Sequence, residues 1–208
     1  MPEIPAEREK ILKYAQEKFS REGFYKISMD ELAREMQISK KTIYKYFFSK
    51  ENLVEAIVDD VISYINIEIN NIIDSDESVV TKFVRILNTY IHRILPYSDR
   101  WVKDLQMHMP SINQKVDKFR TDKIYYGLNK LLKQGKKENL VENYPSEIIV
   151  ASFISTMRMI TNPEFILQNR FSMEEAFRYI YEILLNGILT GQGKDNYVQT
   201  KKMLQNHK

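Results

Sequence analysis

Apolar residues recur along nearly the whole chain at spacings of three and four, and Gly, Pro and capping residues break the runs. Residues 1–6, with Pro2 and Pro5, predict a frayed arm. A first helix follows from about Ala6 to Glu22, with Ile11, Leu12, Ala15 and Phe19 on one face, and Gly23 supplies its left-handed stop. Ser28 stands three residues before Glu31, the spacing of a capping box, in which each side chain satisfies the other residue's backbone amide. Leu32, Ala33 and Met36 then form a short stripe that Gln37-Ile38-Ser39 interrupts. Ser39 reads as a second N-cap, and Ile43 and Phe47 are the next apolar pair at i, i+4. Two short helices with a tight turn between them predict a helix-turn-helix, here without the usual turn Gly.

Beyond it Ser49 caps a long fourth helix, about Lys50 to Ile73, with Leu53, Ile57, Val61, Tyr64 and Ile65 as its inner stripe. It leads from the helix-turn-helix into the body of the chain, so it suits either a signal transmitter or a plain connector. Asp74 to Ser78 ends it. Helix five, about Glu77 to Leu95, buries Phe83, Leu87, Tyr90 and Ile94 before Pro96. Ser98 caps a short helix carrying Trp101, Leu105, His108 and Met109, and Pro110 marks the next turn. Helix seven runs from about Ser111 to Gln134, with Ile112, Val116, Phe119, Tyr126 and Leu131 apolar, and a polar loop covers Gly135 to Tyr144. Pro145 and Ser146 start helix eight, which ends near Thr161 ahead of Pro163. Ser172 and Glu175 form another capping box and open helix nine, to about Thr190, where Gly191 and Gly193 stop it. Residues 194–208 are polar and expected to be loose. The pattern predicts an all-α chain of about nine helices with no strand and no internal repeat.

Helix nine is apolar on too many sides for one core. Between Ala176 and Leu189 only Arg178 and Glu182 are charged. Ala176, Ile180, Ile183 and Gly187 line one face, and Phe177, Tyr181, Leu184 and Ile188 another. One protomer's core needs one face. The surplus, with Ile149, Phe153, Ile154 and Met157 of helix eight, reads as a dimer seam, a four-helix bundle across a two-fold axis, with a central helix wrapped by its own chain as the alternative.

Composition changes the picture little, but the placement of charge does. The net charge is only +3. The first fifty residues hold 11 Lys and Arg against 8 Asp and Glu, while the remainder hold 20 of each. The whole excess therefore lies with the helix-turn-helix, the footprint of a nucleic-acid module on a neutral body. There is no Cys, which excludes disulfides and thiolate chemistry and permits a reducing cytoplasm. No run of about 18 apolar residues exists, and the first residues lack the apolar core of a signal peptide, so a cytoplasmic location is expected.

The second short helix carries the chemistry. With Ile43 and Phe47 inward, a step of about 100° per residue points Lys41 and Lys45 away from the core and sets Thr42, Tyr44 and Tyr46 on the flanks. From Ser39 to Lys50 there are four Lys and no acid. Lys can donate to guanine O6 and N7, and hydroxyl side chains can reach phosphates, which suits a major groove. Lys50 opens a helix whose free amides favour an anion. The stretches Phe24 to Ala33, Ile38 to Phe47 and Ser49 to Leu53 resemble the DNA-binding domain of TetR-family transcriptional regulators over roughly residues 7–53. Many members carry His where this chain has Tyr46. The resemblance implies DNA contacts from Ser28, Lys40, Lys41, Thr42, Tyr44, Lys45, Tyr46 and Lys50, with Lys50 on a phosphate. It also implies two domains, 1–48 for DNA and 49–208 for an effector and dimerisation.

In proteins of that family, helices five to eight enclose a mostly apolar small-molecule pocket. Candidates to line it here are Tyr64, Phe83, Tyr90, Trp101, Leu105, His108, Met109, Tyr126, Phe153 and Met157, though the same stripes also suit an ordinary core. Arg93, Lys103, Lys123 and Arg158 could anchor an anionic end, or could be surface. Candidate seam residues are Ile149, Ile154, Phe177, Tyr181, Leu184 and Ile188. His92, His108 and His207 have no metal-ligand spacing, and no phosphate-cradling loop or nucleophile elbow occurs, so no cofactor, metal or enzymatic activity is expected. The implied reading is a homodimeric, ligand-responsive repressor on near-palindromic operator DNA. An activator, or a regulator answering to a protein partner without a pocket, is the alternative.

Overall fold

The computed structural model describes residues 6–93, 97, 99–160, 162–169 and 171–205. Its helices are α1 (Ala6–Glu22), α2 (Met29–Glu35), α3 (Lys40–Tyr46), α4 (Lys50–Asp74), α5 (Val79–Arg93), α6 (Asp99–His108), α7 (Pro110–Lys137), α8 (Ser146–Ile160), α9 (Pro163–Asn169), α10 (Met173–Ile188) and α11 (Gly191–Gln205). Among the described residues there is no strand, only one isolated bridge between Val141 and Leu189. The all-α expectation holds. No described helix is long and apolar enough to cross a membrane. Ile94, Pro96, Ser98, Thr161 and His207 lie outside the described residues, as does the side chain of Arg93.

The chain divides into two compact units, Met1–Tyr64 with Pro96–Asp117, and Ile65–Leu95 with Lys118–Lys208. The first thus extends beyond residue 48. Its core gathers Ile11, Ala15 and Phe19 of α1, Leu32 and Ala33 of α2, Ile43 of α3, Leu53 and Ile57 of α4, and Trp101, Leu105 and Met109 of α6. Trp101 packs edge-on against Phe24, with ring centroids 5.1 Å apart, and stacks on Phe19 at 6.4 Å. Gly23 ends α1 with φ +77°. On α4, Leu53, Ile57, Val58 and Ile65 are buried, whereas Tyr64, expected on the inner stripe, is exposed.

The second unit is centred on Ile72, Phe83, Leu132, Phe153, Phe177 and Leu185. A polar network is built into it. Lys82 is 3% exposed, and its Nζ donates to the Ile73 carbonyl at 2.9 Å and to Gln134 Oε1 at 2.8 Å. An ammonium there satisfies a carbonyl that the end of α4 leaves open. Gln134 in turn donates to the Glu77 carbonyl at 2.9 Å, and Glu138 Oε2 accepts from the Val79 amide at 2.9 Å.

Two expectations about element ends are corrected. Residues 194–205 are helical, because Tyr197 is buried and its hydroxyl donates to Glu182 at 3.1 Å, while Lys201 pairs with the same carboxylate. The helix opened at Ser172 does end ahead of Gly191, as expected, and Gly193 lies inside α11. A Cβ there would lie 2.2 Å from the Leu140 carbonyl, so glycine permits a close approach. Gly135 likewise lies within α7, where a Cβ would lie 2.4 Å from Val141 Cγ2. Pro163 opens α9, occupying a first-turn position that needs no amide.

Candidate functional site

The helix-turn-helix is assembled from local contacts. Ser28 caps α2, its Oγ accepting from the Glu31 amide at 3.1 Å. The return half of the expected capping box does not form, because the Glu31 carboxylate faces Lys18 at 3.2 Å. At Ser172 and Glu175 both halves are present. Lys18 also donates to Glu35 at 2.7 Å, and Tyr14 donates to Glu35 at 2.8 Å. These bonds, chiefly that from Lys18, hold the Glu35 carboxyl below its usual range. In the turn where glycine was missing, Gln37 takes φ 57°, the left-handed conformation a glycine would take without strain. Ser39 then caps α3, accepting from the Thr42 amide at 3.0 Å.

On α3, Ile43 is fully buried, Lys41, Tyr44 and Lys45 are exposed, and Thr42 is half-buried with its hydroxyl 2.8 Å from Ser39 Oγ. The presented face carries two lysines and a phenol, and no acid occurs on the helix. Lys40 pairs with Asp30. The Tyr46 hydroxyl donates to Glu7 at 3.2 Å, and Lys45 Nζ lies 5.1 Å from the Tyr46 ring centroid. Ser28 is exposed but spends its hydroxyl oxygen on the cap.

Lys50 sits differently from expectation. Its Nζ donates to the carbonyls of Phe24, Tyr25 and Ile27 at 2.9, 2.8 and 3.0 Å. All three of its donors are directed at the α1–α2 loop in this conformation, and desolvation lowers its pKa. From α6, Asp104 Oδ2 accepts the amides of Phe24 and Tyr25 at 2.8 Å each. The loop is thus held by an ammonium on its carbonyls and a carboxylate on its amides. His108 stacks on Tyr25, with ring centroids 3.7 Å apart. Sequence reasoning missed Asp104, since nothing in a polar helix position marks which distant amides it will meet.

The second unit contains a cleft between α4, α5, α7, α8 and α10. Its free space is about 60 Å³, and about 560 Å³ with its open mouth. Phe83, Tyr90, Phe153 and Met157 line it. So do Ile73, Ile124, Leu128, Leu131, Phe177, Tyr181 and Leu184, which were not singled out for it. Of the proposed anchors, Lys123 lies on its wall, Lys103 is exposed in the first unit, and Arg158 Nη2 donates to Thr121 at 3.3 Å. Six pocket candidates lie elsewhere. Tyr64 and Tyr126 are exposed, the latter at 71%. Trp101, Leu105 and Met109 belong to the first unit's core, and His108 to the Tyr25 stack. Their faces are apolar because they complete the helix-turn-helix core.

The seam candidates also need correction as surface residues. Ile149, Phe177, Tyr181 and Ile188 are buried within their own unit, and Ile154 and Leu184 are half-buried. The Tyr181 hydroxyl donates to the Phe83 carbonyl at 2.8 Å, which turns that side of α10 inward. The apolar side chains left exposed are Ile148 and Met159 on α8 and Tyr179 and Ile183 on α10. Among the described residues no group of three or more His, Cys, Asp or Glu is placed to hold a metal.

The family described as "Bacterial regulatory proteins, tetR family" matches residues 11–57, which span α1, α2, α3 and the start of α4. The uncharacterized HTH-type transcriptional regulator YvaF of Bacillus subtilis (strain 168) is 25% identical over 173 residues, covering 82% of this chain and 90% of that one. Among solved structures, a TetR-family transcriptional regulator from Marinobacter aquaeolei VT8 shares the fold with a TM-score of 0.72 at 17% identity, over 94% of this chain and 97% of its own. The protein of a SmeT–triclosan complex does so with a TM-score of 0.63 at 14% identity, over 89% and 93%. With a basic outer helix on its helix-turn-helix, the stretch 11–57 is a DNA-binding domain of the TetR family of transcriptional regulators, and the chain as a whole is similar to regulators of that kind in sequence and fold.

Proposed function

We propose that the chain is a cytoplasmic homodimeric repressor that occupies a near-palindromic operator and is released by a small lipophilic ligand. The exposed, acid-free face of α3 carries this reading: Lys41 and Lys45 stand clear of the core with Tyr44 between them. In this reading Lys41 and Lys45 read base edges, Thr42, Tyr44 and Tyr46 steady the backbone, and two copies present α3 to half-sites one helical turn apart. The exposed apolar residues of α8 and α10, Ile148, Met159, Tyr179 and Ile183, support a second copy as their cover. The apolar cleft of the second unit, and a relative in the fold whose structure is a triclosan complex, support a lipophilic effector. The ligand must prefer the form that does not bind DNA, or it shifts nothing. The small free space of the cleft favours, as a second reading, control by a protein partner.

The test is fluorescence anisotropy on DNA from upstream of the chain's own gene. Lys45→Ala should relax preference at one operator position by about 1–3 kcal/mol, leaving other positions unchanged. Wild-type affinity and specificity in that variant would remove α3 as the reading helix. Sedimentation of the wild type at micromolar concentration should give a dimer, and a monomer would remove the palindromic operator.

A further inference from the structure

The cleft of the second unit has an uneven wall. Its body is made by Ile, Leu, Phe and Met side chains from five helices. Tyr181 spends its hydroxyl on the Phe83 carbonyl, so it offers a ligand mainly its ring. One side of the cleft differs. Lys123 lines it from α7, and its ammonium donates to the neutral amide oxygen of Asn70 at 2.7 Å. Among the described residues no carboxylate pairs with Lys123; the acid that acts on it most, Asp74, is itself paired with Lys130. Desolvation lowers the pKa of Lys123, the mark of a charge held in less water than it prefers. One helical turn earlier, Arg120 acts electrostatically on Tyr90, which is also on the wall. An apolar slot with a cation at its edge, bonded there to a neutral amide, is complementary to one shape of ligand.

We propose that the cleft takes an amphiphilic acid, its hydrocarbon body among Phe83, Phe153, Met157 and Phe177 and its carboxylate on Lys123. This rests on the ligand-responsive reading above and names the chemistry of its ligand. A carboxylate supplies the negative charge that the neutral amide oxygen of Asn70 does not, and forms a charge-assisted hydrogen bond in a site partly shielded from water. The free space of about 60 Å³ is smaller than such a body, so the ligand enters by displacing side chains along the wider cleft. Met157 is unbranched and yields readily. Gly127 keeps α7 close to α4, since a Cβ there would lie 3.0 Å from Ile73 Cδ1.

The experiment is calorimetric titration of the full chain with decanoate and, separately, with decanol, both below the concentrations at which they self-associate. Decanoate should bind about tenfold tighter than decanol, the gain typical of one partly buried charged hydrogen bond. Lys123→Gln should bring decanoate down to the decanol level and leave decanol unchanged, while Lys123→Arg should keep the preference. Gly127→Val, which adds bulk to the wall, should weaken both ligands. Equal binding of the two by the wild type, or a preference that survives Lys123→Gln, overturns the acid and leaves the lipophilic pocket standing. Binding of both that is indifferent to Gly127→Val puts the site elsewhere and overturns the proposal. Binding of neither removes the ligand-responsive reading itself.

Discussion

Replacing Lys50 by Met separates two roles that one residue could have. Its ammonium donates to three loop carbonyls, at 2.9 Å to Phe24, 2.8 Å to Tyr25 and 3.0 Å to Ile27. Tyr25 is exposed, so its carbonyl regains water when the ammonium is removed. The bonds to Phe24 and Ile27 are partly buried and are not fully replaced. At about 1 kcal/mol for each of these two, Lys50→Met should cost the first unit about 2 kcal/mol. The assay is urea unfolding followed by Trp101, the only Trp, whose ring lies 5.1 Å from that of Phe24. With a slope of about 2 kcal/mol per molar urea, the midpoint should fall by about 1 M. The salt dependence of DNA binding should keep its wild-type slope, because no phosphate contact is lost. The opposite pair of results would refute the reasoning. Unchanged stability with a slope lower by about one per protomer would make Lys50 a phosphate ligand, as its position at a helix start suggests.

Gly23→Ala should destabilise by about 2 kcal/mol, since φ is +77° and the new Cβ would lie 2.7 Å from Asp104 Oδ2; a thermal melt of the variant checks it. Glu35 has its carboxyl pKa held below the usual 4.5, chiefly by Lys18, so its stabilisation is complete above pH 4.5 and is lost as pH falls through the lower folded value; Glu35→Gln should flatten that part of the acid unfolding curve. Ile183→Glu adds a charge at a position 70% exposed in the single chain, so it should give a folded monomer by sedimentation with little loss of helicity if α8 and α10 form the seam. An unchanged dimer would move the seam elsewhere.

The sequence alone determined what depends on near neighbours. Ser39 before Lys40-Lys41-Thr42 makes a cap, and Ile43 and Phe47 at i, i+4 turn Lys41 and Lys45 outward, whatever the helix rests on. Gly23 ended α1 as expected, because its backbone conformation is a local property. The limits were the residues whose partners lie far along the chain. Trp101, Leu105 and Met109 form a clear apolar stripe, but periodicity does not say which core receives it, and tertiary packing put it against Phe19 and Phe24 instead of a ligand. Asp104 was an ordinary polar position until folding brought it, 80 residues on, to the Phe24 amide. On α10 the pattern revealed a surplus of apolar surface, but not its direction. Only the bond from Tyr181 to the Phe83 carbonyl and the burial of Phe177 show which side faces inward, leaving Tyr179 and Ile183 outside. Helical periodicity fixes the angle between side chains on one helix, whereas the rotation of that helix against its neighbours is set by the packing of the whole unit.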